Sequence, residues 1–148
     1  MTFGACLKAG AMGERAAWDK LIKMQGVRNV VDVRDDKYFQ SVDVDFLVEQ
    51  TNRQYVWVEV KTDEQAYTTG NVFYEVTTSG NIGCFEKTKA AFILIHLPQT
   101  DDIYMLNVEK LRRYVEYGVF REVRGGDNSI GYLLKMEDLK KRGIMKRL

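Results

Sequence analysis

The spacing of apolar residues changes period along the chain, and the changes mark its elements. Over residues 12–25 (GERAAWDKLIKMQ) the period is helical: Ala17, Trp18, Leu21 and Ile22 form one stripe, with Gly26 as a cap. RNVVDV then reads as a short strand and RDDK as a polar turn. From residue 41 the period becomes two. In SVDVDFLVEQ, Val42, Val44, Phe46 and Val48 share one face, and Asp43, Asp45, Leu47 and Glu49 share the other. TNRQ is a turn, after which YVWVEVKTD resumes the alternation. Val56, Val58 and Val60 oppose Trp57, Glu59 and Lys61. The two segments predict an antiparallel hairpin.

The second half is less regular. A strand is expected near 72–77, between glycine-containing turns, and FEKTK reads as a short helix or turn. AAFILIHL is continuously apolar, as in a strand covered on both faces. IYMLNV is a strand leading into a helix over 108–117, where Val108, Leu111 and Val115 lie on one side and Gly118 ends the run. VFREVR and SIGYLLK read as strands around GGDN, and MEDLKKRG as a last short helix. This order predicts an α/β fold with a mixed central sheet and helices on both faces, in a single domain over residues 1–148.

Composition narrows the function classes. Hydrophobic residues make up 45% and charged residues 29%, ordinary for a globular chain, and Pro98 is the sole proline. No stretch has the length of a membrane-spanning helix, and MTFGACLKAGAMGERAAW lacks the basic-then-apolar order of a secretory signal. Cys6 and Cys84 are far apart and in no CxxC pattern, which disfavours structural zinc and a disulfide framework. A cytoplasmic protein without a membrane partner is expected. The net charge of +1 selects no partner, but KKRGIMKRL at 140–148 holds five basic residues and no acid. It reads either as a local positive field or as a solvated helix end and tail.

Motif chemistry is mostly excluded. There is no GxxxxGK[ST], no GxGxxG after a strand and no GxSxG. A single histidine, His96, rules out HExxH and reads as a strand-end residue. Carboxylate chemistry remains. If the hairpin forms, Asp45 and Glu59 lie near each other on one face, where they repel unless a cation sits between them. Oxygen ligands suit Mg²⁺ or Mn²⁺. Lys61, on the same face, is placed to offset charge or to stabilise a phosphoryl oxygen. Asp43 shares that face, but Asp45 is nearer the hairpin position of Glu59. Glu14 falls on the inner stripe of the first helix, four residues before Trp18, and needs a partner there or sits at a frayed first turn.

DFLVEQTNRQYVWVEVK resembles the core of the PD-(D/E)xK nuclease superfamily, in which an acid on one strand precedes (D/E)-x-K on the next. Gly13-Glu14-Arg15 is similar to the first helix of Holliday-junction resolvases. The resemblance implies a restriction-endonuclease-like fold from roughly residue 12 to 106. It also implies Asp45 and Glu59 as metal ligands together with the Val60 carbonyl, Lys61 as catalytic lysine, and Glu14 as a supporting acid at the metal. Val44 stands where the family usually has proline. A second stretch, TGNVFYEV…GCFEKTKAAFILIH, resembles members found in phage and mobile elements, with Cys84 at a position expected to be aromatic. It adds Glu75 as an accessory site residue and Lys87 or Lys89 as phosphate contacts; the alternative is ordinary surface charge.

The implied activity is Mg²⁺-dependent (or Mn²⁺-dependent) hydrolysis of DNA in processing, recombination or defence. Lys87, Lys89, Lys140, Lys141 and Arg142 would make nucleic-acid contacts. Dimerisation is common where two strands must be cut, which leaves a homodimer open. A non-catalytic nuclease-fold protein that binds nucleic acid or a protein is the alternative, and a small α/β domain in which Glu59 and Lys61 merely pair is a third reading.

Overall fold

The computed structural model describes the backbone of residues 3–148 and the side chains of residues 10–148. Cys6, part of the argument against a disulfide, lies outside the described side chains. The helices are α1 (Phe3–Leu21), α2 (Lys37–Ser41), α3 (Ala66–Thr69), α4 (Cys84–Lys87), α5 (Val108–Tyr117) and α6 (Met136–Lys141). The strands are β1 (Val27–Asp32), β2 (Phe46–Gln50), β3 (Tyr55–Thr62), β4 (Asn71–Thr78), β5 (Asn81–Ile82), β6 (Phe92–Leu97), β7 (Asp102–Asn107), β8 (Glu122–Arg124), β9 (Ser129–Lys135) and β10 (Met145–Arg147).

A central mixed sheet runs in the order β1-β2-β3-β6-β7-β10, flanked by helices. The β2–β3 hairpin is antiparallel with Phe46 opposite Val58 and Leu47 opposite Trp57, the register the alternation predicts. β3 and β6 are parallel, with Glu59 beside Ile93 and Lys61 beside Ile95. β4, β5, β8 and β9 do not join this sheet. They form a second sheet in the order β5-β4-β9-β8, a division that the apolar pattern alone does not reveal.

Each face of the central sheet has its own cover. Ala17 and Leu21 of α1 pack on Val30, Phe46, Val48, Val58, Val60 and Leu94. Ile22, assigned to the same stripe, is 47% exposed because the helix ends one residue earlier. Gly13 lets α1 approach the sheet: a Cβ there would run into Thr62 Oγ1 and sit 3.3 Å from His96 Nδ1. On the opposite face, Ile93, Ile95 and Leu106 pack against Leu111 of α5, Leu139 of α6, and Val72, Tyr74 and Leu134 of the second sheet.

Three boundaries differ from the sequence pattern. Residues 41–45 are not strand. Lys37–Ser41 is a helical turn whose cap, Asp36, accepts the N–H groups of Tyr38 and Phe39. Asp43 then takes a left-handed φ of 49°, a conformation that Asp tolerates better than most residues. Only from Phe46 does the strand begin, so Asp43 is not on a strand face with Asp45. At the other end, the basic tail contains β10, which pairs with β7 and buries Ile144 and Met145; it is not a frayed end. Among the described residues, no helix is long and apolar enough to cross a membrane.

Candidate active site

β2 and β3 part where the chain turns through Asp43 and Val44. The Asp45 side chain takes over the pairing there: its Oδ2 accepts the Val60 N–H at 2.9 Å, while its own N–H donates to Val58 O at 2.9 Å. This anchors one carboxylate oxygen and turns the group toward Glu59. The two carboxyl groups hydrogen-bond each other, which requires a shared proton or a cation between them. Glu59 is only 6% exposed. Burial, and then the Asp45 charge, push its pKa up to about 9. Burial also raises Asp45, but the Val60 N–H opposes that rise. The pair therefore holds a proton at neutral pH that carboxylates in water would release, with Glu59 its favoured seat.

The cations and donors around this pair are ordered. Lys61 Nζ lies 3.8 Å from Glu59 Oε1, and Cys84 Sγ points at the same oxygen from 3.7 Å. Burial works against the Lys61 charge, but the acidic groups around it outweigh that and raise its pKa. Burial pushes the Cys84 thiol well above its ordinary value, so it is a neutral donor here. Glu75 enters from β4, where its Oε1 accepts the Cys84 N–H at 3.1 Å.

Glu14 reaches the same cleft from α1, and its negative charge raises the Asp45 pKa. Its partner is Arg34, whose Nη1 donates to Glu14 Oε2 at 2.8 Å. Arg34 is itself gripped by Asp32 through Nε (2.9 Å) and Nη2 (2.7 Å). That bond holds the Asp32 carboxyl below its usual range and raises the guanidinium further. Among the described residues, no three His, Cys, Asp or Glu groups already stand in an ion-holding arrangement.

The cleft has a volume of about 870 Å³, with Asp45, Glu59 and Lys61 on one wall and Phe73, Glu75, Arg124 and Leu133 of the second sheet on the other. Asp63, two residues past Lys61, ties the walls together: its carboxylate accepts the Ala66 N–H at 2.9 Å and the Phe73 N–H at 3.2 Å.

The structure thus brings Asp45, Glu59, Lys61, Glu14 and Glu75 to one cleft, lined also by Val60. It does not bring the expected basic residues there. Lys87 pairs with Asp43 at 3.6 Å, Lys89 lies 5.9 Å from the Tyr38 ring, and neither lines the cleft. Lys140, Lys141 and Arg142 belong to the far edge, where β10 stands three strands from β3, about 14 Å at ordinary strand spacing. His96 is buried, with Nε2 2.6 Å from Asp101, on the α1 side of the sheet. Sequence reasoning missed Asp32, Arg34 and Asp63. Arg34 reaches Glu14 twenty residues away and Asp63 reaches Phe73 ten residues on, contacts that no local spacing signals, while Asp32 acts through Arg34 two residues on. Cys84 did carry a signal, since its position had been singled out, although an aromatic was expected there.

No protein-family model matches the chain. No curated protein matches it. Among solved structures it is similar to a bacterial homing endonuclease, I-Ssp6803I, at 19% identity and a TM-score of 0.49, over 74% of this chain and 72% of that one.

Proposed function

We propose that the chain is a metal-dependent nuclease that hydrolyses DNA phosphodiester bonds at the Asp45–Glu59–Lys61 cluster. The observation that carries this reading is the carboxyl pair itself: one acid just before β2 and one on the adjacent β3, in hydrogen-bonding contact, with an ammonium group beside them in an open cleft. A purely structural pair at this depth would be replaced by apolar residues with little loss of stability.

The donor set fits Mg²⁺ or Mn²⁺. Such an ion binds through one or two carboxylates and keeps several waters, so Asp45 and Glu59 suffice as protein ligands, with the Val60 carbonyl and Glu14 as further candidates. When bound, it would supply a Lewis acid for the phosphoryl oxygen and a water of lowered pKa. The protein's own groups do the rest. The Val60 N–H fixes the Asp45 carboxylate. Glu59 gives up its proton when a cation takes that proton's place. Lys61 stabilises charge developing on the phosphoryl group. Acids dominate the cleft lining, with Lys61 and Arg124 as its cations, so a polyanion enters only once added positive charge is present.

The test is a panel of labelled substrates (linear duplex, single strand, flap and four-way junction) incubated with Mg²⁺ or Mn²⁺. Cleavage of at least one substrate, abolished by EDTA and by Asp45→Ala, is expected. Cleavage that survives Asp45→Ala and Glu59→Ala would remove the site assignment. A chain that cuts nothing and shows no thermal shift with Mn²⁺ belongs to the non-catalytic alternative.

A further inference from the structure

We propose that a second depression, separate from the cleft, binds single-stranded nucleic acid. It lies between α5 and the turn after α6, has a volume of about 400 Å³, and shares no lining residue with the cleft. Lys110, Arg113, Tyr114, Tyr117, Arg142 and Ile144 form its walls, and no carboxylate lines it.

The α5 helix explains the arrangement. Val108 and Leu111 face the core, and Arg112 is occupied with the carbonyls of Phe85 (3.0 Å) and Thr88 (2.7 Å). Positions 110, 113, 114 and 117 then fall on one outward face at i, i+3, i+4 and i+7. Arg142 is delivered by the turn through Gly143, whose φ is +68°, and its guanidinium sits 5.0 Å from the Tyr114 ring centre. This stacking orients Arg142 without a carboxylate to neutralise it. Arg113 has one partner, Glu109 at 2.8 Å, but both are well exposed and such a pair exchanges readily for a phosphate. Tyr117 is 83% exposed at the rim. Glu109 and Glu116 are the acids on the same helix, and neither lines the depression.

An exposed ring set among three cations provides a stacking face and phosphate contacts together. Duplex DNA would use only the cations, because its base faces are stacked away. A single strand uses both. The site therefore requires neither metal nor the chemistry of the cleft.

The experiment is fluorescence anisotropy of labelled oligo-dT and oligo-rU with the full chain, in EDTA and at several salt concentrations. EDTA removes cleavage, so failure here leaves the cleft reading intact, and a chain that cuts nothing can still pass. Binding to at least one oligomer is expected, with Tyr117→Ala weakening it about tenfold. Lys110→Glu with Arg142→Glu should reduce the salt slope by about 1.4, and Lys110→Glu alone, which spares the Tyr114 packing, by about 0.7. Tyr117→Ala binding like wild type would overturn the proposal. So would a blunt duplex or polyglutamate competing as well as oligo-dT, since either would mark a plain basic patch.

Discussion

At its centre β3 is equally buried on both faces, which differ in almost everything else. Val58 and Val60 are 3% and 7% exposed and pack under α1 with Phe46 and Ala17. Glu59, between them, is 6% exposed, yet it points the other way and holds a carboxyl group against a second carboxyl. Burial therefore does not separate scaffold from site. Unrelieved charge does. One face is at its energetic optimum, and the other holds an acid in the protonated form that water would not give it at neutral pH. The proposed metal site rests on that difference.

Four experiments probe this division. The largest effect belongs to the apolar face. Phe46 is fully buried, with Trp18 at 5.5 Å and the Arg34 guanidinium at 5.4 Å from its ring. Phe46→Ala should cost about 3–5 kcal/mol in urea unfolding. Loss of cleavage with unchanged stability would mean that the face is not scaffold. Next, Lys61→Ala should lower metal-dependent cleavage by roughly 10²–10³-fold while the melting temperature stays near wild type. A large fall in melting temperature instead would make Lys61 a structural ion-pair partner.

Third, the Glu59 proton predicts a pH dependence of stability in metal-free protein. The folded pKa, about 9, lies above the ordinary carboxyl value of 4.5. The folded state thus holds a proton that the unfolded chain releases, and stability falls as pH rises between those two values. Glu59→Gln should flatten this slope and raise stability at pH 8 relative to pH 5. Urea titrations at pH 5 and 8 check it, and an unchanged slope would show that Glu59 is ionised. Smallest is the Glu14–Arg34 contact, whose side chains are 30% and 37% exposed. A double-mutant cycle with Glu14→Gln and Arg34→Ala should give a coupling of about 0.5–1 kcal/mol. Zero coupling would leave Glu14 free to turn toward Asp45.

What the sequence made legible follows the same line. The β2–β3 hairpin, its register and the convergence of Asp45 with Glu59 were readable because a period of two fixes which side chains share a face. The helical turn at Lys37–Ser41 was not. The valines at 42 and 44 continue the alternation by coincidence, across a left-handed Asp43 that breaks the strand. The second sheet was hidden for a different reason: Val72, Tyr74 and Leu134 alternate as they would in any sheet, and pattern does not say which neighbours they choose. The basic tail misled by composition. Ile144 and Met145 are buried at 5% and 3% exposure within a run of basic residues, so a strand looks like a polar end. Arg34 lay beyond reach because its partner Glu14 is twenty residues away on another element.

The parallel β3–β6 seam has a kinetic consequence. β2 and β3 join through a short antiparallel turn, as do β6 and β7, and β1 pairs with β2 through the segment that holds α2. Closing β3 on β6 means bringing Val58 to Phe92 and Thr62 to His96 across the whole excursion through α3, β4, β5 and α4, one of the two long-range closures in this sheet, with that of β10 on β7. Those two pieces can form early, and the seam closes late. Glu59 faces Ile93 across that seam, so its carboxyl stays hydrated through most of folding and loses water near the end. Relieving its burial, by Gln or by a bound cation, should then lengthen the lifetime of the native state far more than it speeds folding.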